Sequence, residues 1–399
     1  MSDVFIVSAA RTPIGRYGGT LKSVHPAELG AVAARAALDR AALHPPAVDL
    51  LIVGHARQAG SGPNPARQVG RKTGLPEAVP AWTLNQACAS GLQAVVSAAQ
   101  AIAAGDASIA IAGGIESMSR MPYLIDSDDA RWGHRMGHFP LVDAMYRDGF
   151  QCSVCGLIMG ETAELLGRDY GITREKSDAF ALLSQQRAEA AIKAGHFIAE
   201  LAPVAVAGAK GTTTLTADEH PRAGTTLDAL ARLPLVFPDV EGKPGIITAG
   251  SSSGITDGGA AVVVASADAV KTHGLTPMAR VVGWATVGVD PARMGIGPVP
   301  AVRNLLERTG LALDDFDLVE LNEAFAPQVL AVLEDLPIDP SRLNVNGGAI
   351  ALGHPIGCTG TRILVTLLHE LKRRQARRGL ATLCVSGGLG IALAVEMSQ

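Results

Sequence analysis

Short apolar runs alternate along the chain with stretches whose apolar residues recur every three or four positions, which predicts strands alternating with helices and an α/β fold. Val4 to Ser8 reads as a strand. Pro26 opens a helix running to about Leu43, in the first-turn position where a missing N–H costs nothing. Asp49 to Val53 is the next strand; a helix follows Cys88, from Ser90 to Ala104, and Gly105 closes it. Ser108 to Ala112 is a strand that runs into Gly113 and Gly114.

The same order returns later in the chain. Ala279 to Gly283 is a strand, Pro300 opens a helix that ends before Gly310, and Asp317 to Leu321 is a strand. A helix follows His354, through Arg362 to about Leu371; Ala381 to Val385 runs into Gly387 and Gly388, and Ile391 to Glu396 completes the sheet. A repeat this long predicts two related α/β halves rather than a solenoid. Residues 120–245 break the order. Thr173 is placed to cap a helix ending at Gly195, and the remainder is rich in Gly, Pro and Thr, as expected of an insertion carrying binding loops. The expected division is 1–119 with 246–270 as the first half, 120–245 as an inserted loop domain, and 271–399 as the second half.

Cys88 and His354 hold equivalent places in the two halves, each just before a helix. Packing the halves about a pseudo-twofold axis would turn both helix N-termini, with their free N–H groups, toward one centre.

Composition narrows the function. The 399 residues, 48% hydrophobic and 18% charged, suit two or three units with a large core and argue against disorder. Aromatics are only 4%, so closely packed backbones rather than large rings fill that core. A net charge of -4 without a long basic run excludes a phosphate-tracking nucleic-acid surface. No uninterrupted apolar run has the length of a membrane span, and neither end carries a recognisable targeting pattern. Five cysteines do not make a disulfide framework, and a reducing cytoplasm is the expected location.

Four segments are candidates for chemistry. Asn85-Gln86-Ala87-Cys88-Ala89-Ser90-Gly91 sets a cysteine at a strand-to-helix junction; alone it is as readily a small buried residue. Asn322-Glu323-Ala324-Phe325-Ala326 follows a strand, at the end where open α/β sheets bind ligands, although Asn is also a common helix cap. Gly347 to Gly357 surrounds His354 with glycines, as if backbone packed closely against something there. Cys384 to Gly390 places a cysteine before a glycine-rich turn with free N–H donors.

Together these segments resemble the thiolase family, in particular its acetyl-CoA acetyltransferase branch. The resemblance covers essentially the whole chain and includes Arg11 to Gly15, Gly62 to Gln68, Gly113 to Ser119 and Thr248 to Gly254. It implies a layered α-β-α-β-α core and an acyltransferase that carries out a reversible Claisen condensation of two acetyl-CoA. By resemblance Cys88 is the nucleophile and His354 its proton acceptor, Cys384 moves the α-proton, and Asn322 holds a water at the enolate. The backbone N–H groups of Cys88 and Ser386 would form an oxyanion site. Arg222 and Ser253 would contact CoA; Phe325 and Met159 would wall the acyl pocket. Coenzyme A is implied as substrate and product, with no permanently bound cofactor and no metal. A homotetramer or homodimer is implied too, with no nucleic acid or membrane partner.

Three positions depart from that pattern. Ser386 occupies a position usually glycine and Leu389 one usually polar, and Ile158 stands where short-chain members often have His. The less polar pocket leaves longer 3-oxoacyl-CoA substrates open. Outside the family pattern, His134 and His138 precede Cys152 and Cys155 at spacings that suit a structural zinc, unless the histidines simply line a loop. Among rival readings, a decarboxylating condensing enzyme is disfavoured by Asn322 and Cys384. A non-catalytic acyl-CoA-binding subunit is disfavoured by the presence of all four catalytic residue types.

Overall fold

The computed structural model describes residues 3–125, 127–209, 211–240 and 242–398. Nine strands carry the fold: β1 (Val4–Arg11), β2 (Leu50–His55), β3 (Ala81–Leu84), β4 (Ile109–Ser117), β5 (Thr256–Ser266), β6 (Ala279–Gly288), β7 (Leu318–Leu321), β8 (Arg378–Val385) and β9 (Leu389–Met397). They are hydrogen-bonded in the order β7-β8-β9-β6-β1-β5-β4-β2-β3. Read outward from the centre, β6-β9-β8-β7 matches β1-β5-β4-β2, which is the repeat expected from the sequence. The two halves meet where β1 pairs antiparallel with β6, through only Phe5↔Arg280 and Ile6↔Ala279. Within the first half, β4 and β5 pair over nine residues.

The principal helices are α1 (Pro26–Arg40), α2 (Ser90–Ala104), α3 (Met159–Asp169), α4 (Arg174–Ala194), α5 (Pro298–Thr309), α6 (Ala326–Asp335) and α7 (Ile356–Arg374). One apolar core joins α2 and α7 to strand residues of both halves: Ile6, Ile52 and Val262 on one side, Leu383, Ile391 and Leu393 on the other. A second core lies under α1, with Ala33, Val53 and Val263. A third lies under α5, with Val302, Leu380 and Ala394. Helices therefore cover both outer faces and fill the space between the halves, which is the expected α-β-α-β-α layering. Residues 87–104 are apolar and long enough to cross a membrane by composition, but they form the middle layer of this core.

Three boundaries differ from expectation. Helix α1 stops at Arg40 because Ala42 turns left-handed, with φ 51°. Helix α5 starts at Pro298 rather than Pro300, with the earlier proline at its first position. Strand β4 continues through Gly113 and Gly114 instead of ending there. A Cβ on Gly113 would lie 2.4 Å from the Ala260 carbonyl oxygen, and one on Gly114 would lie 2.3 Å from the Gly357 oxygen. These glycines admit neighbouring backbone rather than turning the chain. Thr173 and Gly195 behave as expected: Thr173 accepts a hydrogen bond from Lys176 N–H, and Gly195 closes α4 with φ 74°.

The inserted segment is pinned to the core by charge. Buried Arg11, on β1, pairs with Glu200 at 2.6 Å and with Asp218 at 2.7 Å. Its guanidinium also lies over the Phe197 ring, 5.2 Å from the centroid.

Helices α2 and α7 touch through small residues. A Cβ on Gly91 would lie 2.7 Å from Thr361 Oγ1 and 2.9 Å from Gly357 O, the latter being backbone that cannot swing away. Gly91→Ala is expected to destabilise the fold by about 1–3 kcal/mol, the usual cost of overpacking. Urea unfolding would check this; an unchanged midpoint would show that the helices can part.

Candidate active site

Cys88 sits in a short 3-10 turn, Ala87–Ala89, directly ahead of α2. Its neighbour Ala87 has φ 45°, a left-handed conformation that costs a non-glycine residue energy. Surrounding polar groups hold it there. Asn85 Oδ1 accepts the Ala87 N–H (2.9 Å), and Asn85 Nδ2 donates to Ala56 O (3.0 Å). Ser90 Oγ accepts from Gln86 N–H (2.9 Å) and donates to Ala87 O (2.7 Å). The strained corner turns the Cys88 sulfur toward a cavity of about 720 Å³.

That cavity is also lined by His354, Cys384 and Ser386 from the second half. Cys384 lies opposite Gly390, one residue before the end of β8 at Val385, and the hairpin Ser386-Gly387-Gly388 follows with φ 92° and 85° at its glycines. This turn aims the Ser386 N–H at the Cys88 sulfur, where the Cys88 N–H also points. Burial raises the Cys88 thiol pKa; the two N–H groups and the Arg57 charge oppose it. Burial raises that of Cys384 strongly, and the neighbouring Cys88 adds to it.

His354 is buried, and its backbone N–H donates to Gly254 O (2.9 Å). Its Nδ1 lies 2.6 Å from Thr359 Oγ1, whose hydroxyl donates to Pro355 O at 3.0 Å. With that single hydroxyl proton engaged, Nδ1 carries the imidazole hydrogen and Nε2 is left as the basic atom. Burial, with the charges of Arg362 and Arg57, depresses the imidazole pKa to about 3, so the ring is neutral at rest.

The helix start after His354 is not the free donor site expected from sequence. Glu116, on β4, accepts the Gly357 N–H at 2.9 Å and the Arg57 N–H at 3.2 Å. It also lies 3.1 Å from His55 Nε2 in a fully buried contact whose geometry makes no hydrogen bond. The available donors therefore come from Cys88 and Ser386.

Asn322 follows β7, and its backbone N–H donates to Thr382 O (3.0 Å), which places it beside the strand bearing Cys384. It does not cap α6, whose N-cap is Phe325. Both polar atoms of its side-chain amide are buried without a protein hydrogen-bond partner among the described residues. Such a group needs a water or ligand partner. Glu323 next to it is structural: it accepts from Ser184 Oγ (2.6 Å), Asn344 Nδ2 (2.9 Å) and Ile350 N–H (3.2 Å).

The remaining candidates gather at the same cavity. Met159 and Phe325 form apolar wall, and Ser253 and the exposed Arg222 also line it. Sequence reasoning missed Arg16, Arg57, His220 and Phe237, which also line it. Only the position of Arg57 just beyond the carboxyl end of β2 offered a signal. His220 Nδ1 is 2.8 Å from Ala351 O, and its ring fills the space a Cβ on Gly254 would need.

The zinc reading fails. Among the described residues no three His, Cys, Asp or Glu side chains are grouped to hold a metal. The His134 ring packs on Phe139 (centroids 4.2 Å apart), His138 is exposed, and Cys152 is buried with Met159, Met294 and Cys384. The spacing was suitable, but the two histidines do not join the two cysteines.

With this geometry in place, comparison with known proteins is direct. The Thiolase, N-terminal domain family matches residues 4–268, and the Thiolase, C-terminal domain family matches residues 275–397. The chain is 52% identical over 397 residues to an acetyl-CoA acetyltransferase of Cupriavidus necator, covering 99% of this chain and 100% of that one. It is similar to the crystal structure of the Bacillus anthracis acetyl-CoA acetyltransferase (TM-score 0.96, 43% identity, 100% of this chain and 99% of that one). It is equally similar to human mitochondrial 3-ketoacyl-CoA thiolase in complex with CoA (TM-score 0.95, 45% identity, 100% and 98%). The two related halves, the layered core and these full-length matches agree: the chain belongs to the thiolase family.

Proposed function

We propose that the chain is an acetyl-CoA C-acetyltransferase that joins two acetyl-CoA into acetoacetyl-CoA and CoA, reversibly, through an acyl-cysteine. The observation that carries this reading is the meeting of Cys88, His354 and Cys384 in one cavity, with the N–H groups of Cys88 and Ser386 converging on the nucleophilic sulfur. Cys88 gives its proton to His354 Nε2 and attacks the thioester carbonyl; CoA leaves with that proton. The Cys88 and Ser386 N–H groups hold the oxyanion of the tetrahedral intermediates. Cys384 takes an α-proton from the second acetyl-CoA while His354, and a water on the unpartnered Asn322 amide, face the enolate oxygen. The carbanion then attacks acetyl-Cys88 and releases the thiolate.

Arg222 and Ser253, with Arg16 at the same cavity, are the groups proposed to meet CoA. Met159, Phe325, Ile158 and Phe237 give the acyl end an apolar lining, which favours tolerance of longer 3-oxoacyl-CoA chains as a second reading. The test is CoA-dependent cleavage of acetoacetyl-CoA beside longer homologues, with Cys88→Ala and Cys384→Ala as controls. Cleavage of long chains without acetoacetyl-CoA cleavage would select the second reading. A folded, reduced chain inert to all would select the non-catalytic subunit.

The raised Cys88 pKa and the depressed His354 pKa fix a pH dependence. Between them Cys88 is a thiol and His354 a neutral imidazole, the pair from which the proton transfer starts. The kcat/KM for thioester attack is therefore expected to stay level across about pH 6–8. A rate that climbs about tenfold per pH unit over that span would show that solvent, not His354, takes the Cys88 proton.

Thr359 is a positioning residue through its contact with His354. Thr359→Val keeps shape but frees the imidazole tautomer, and kcat is expected to fall roughly 10–100-fold, the scale of losing a group that orients a functional histidine. KM should hold, and Thr359→Ser should restore the rate. Equal losses in Val and Ser variants would mark a packing effect instead.

A homo-oligomer in the cytoplasm completes the proposal. Its support is the exposed apolar group on the insertion, with Trp132 at 76% and Met136 at 88% exposure, and the five free thiols, which suit a reducing compartment. Sedimentation and cell fractionation test the two points.

A further inference from the structure

Cys152 and Cys155 have no part in the chemistry above, yet they lie against it. Cys152 N–H donates to Leu157 O and Gly156 N–H donates to Cys152 O, both at 2.8 Å, which closes a tight turn around Ser153 and Val154. The turn folds Cys155 back against the cluster that holds Cys152, where each thiol acts on the ionisation of the other. Cys152 is 4% exposed and packs in one cluster with Cys384, Met159, Met294 and Ala324, while Cys155 is half-buried at its edge. The backbone N–H of Gly387, in the hairpin that carries Ser386, also points at the Cys152 sulfur.

We propose that Cys152 and Cys155 are a reversible dithiol modification site, closed to a disulfide by small hydroperoxides. Burial opposes ionisation of Cys152, but the N–H groups of Cys155 and Val154, the Cys155 thiol and the Gly387 N–H together outweigh it and lower the Cys152 pKa, so Cys152 is the more readily ionised of the two. Cys155 is raised, chiefly by burial and then by Cys152 beside it, and keeps its proton until it resolves the first product. The Cys152 thiolate attacks one peroxide oxygen, the O–O bond breaks, hydroxide leaves, and a sulfenic acid forms. Cys155 sulfur then attacks Cys152 sulfur; its proton and the leaving hydroxyl depart as water. Two thiols and one peroxide become one disulfide and two waters, with two electrons passing from sulfur to oxygen.

The disulfide replaces the free sulfur acceptor that Gly387 N–H faces in the reduced turn. That N–H belongs to the hairpin holding the Ser386 donor beside Cys88, so oxidation is read at the reacting centre without touching a catalytic group.

The experiment treats the full chain, first loaded with acetyl-CoA to shield Cys88, with hydrogen peroxide. Remaining thiols are then alkylated, and tryptic peptides are weighed. Residues 148–168 fall in one tryptic peptide that holds both cysteines. It is expected to become two hydrogens lighter and to take no label. Turnover after peroxide removal should fall several-fold and return with dithiothreitol. Cys155→Ser should match the native rate when reduced, and its peptide should gain oxygen instead of losing hydrogen. A peptide that keeps two alkylatable thiols while turnover falls would overturn the site. A bond from Cys152 to Cys384 would overturn the pairing, and a Cys152–Cys155 disulfide that leaves turnover unchanged would overturn the link to the hairpin. The thiol census does not depend on the reaction assigned to the enzyme, so the two proposals fail separately.

Discussion

Cys88→Ala is expected to lower acetoacetyl-CoA cleavage on the order of 10⁶-fold, the scale of removing an enzymatic nucleophile. No other described thiol is placed to replace it: Cys152 packs in the cluster with Cys384 and Met159 but does not line the cavity. Cys384, the other thiol at the reacting centre, is 1% exposed, and burial raises its pKa strongly. Cys358 is buried in the core, with burial pushing its thiol up to about 12. The folded protein should survive the change, because Cys88 sits at a cavity wall and the corner around it is held by Asn85 and Ser90 rather than by the sulfur. Radiolabelled acetyl-CoA would separate the possibilities. Loss of both turnover and covalent label fits the nucleophile; a surviving label would put the acyl group elsewhere.

Cys384→Ala should divide the reaction in two. Acetyl transfer from acetyl-CoA to Cys88 needs only Cys88, His354 and the oxyanion donors, so the acetyl-enzyme should form and accumulate. Condensation and its reverse need a group that moves a proton at carbon, and their loss is expected at about 10²–10⁴-fold. Rapid-quench measurement of the acetyl-enzyme beside steady-state cleavage checks this. A variant unable to acylate at all would show that Cys384 instead serves the first step, or that its removal collapses the Ser386 hairpin.

Much of this site was legible along the chain because its parts sit at junctions. Cys88 and His354 precede helices, Cys384 precedes a glycine turn and Asn322 follows a strand, and local sequence carries such corners. The repeat was legible because both halves bury the same alternation of strand and helix. Tertiary register was not. Thr359 orients His354 from the first turn of α7, and Glu116 reaches that helix from a strand more than two hundred residues away. His220 and Phe237 come from the irregular insertion, where no periodicity marks a direction. The same blindness produced the zinc reading: spacing counts residues between ligand types but does not say which way they face. The glycines of β4 hide its full length in the sequence, because the backbone they admit, at Ala260 and Gly357, lies far along the chain.

The narrow seam between β1 and β6, two residue pairs wide, gives the enzyme an unusual character. By the proposed mechanism each half holds only part of the chemistry: one brings Cys88, the other brings His354, Cys384 and Asn322. With so little sheet continuity joining them, the catalytic centre exists only while α2 and α7 remain clasped between the halves. Under that mechanism, catalysis itself reports that the two halves are docked.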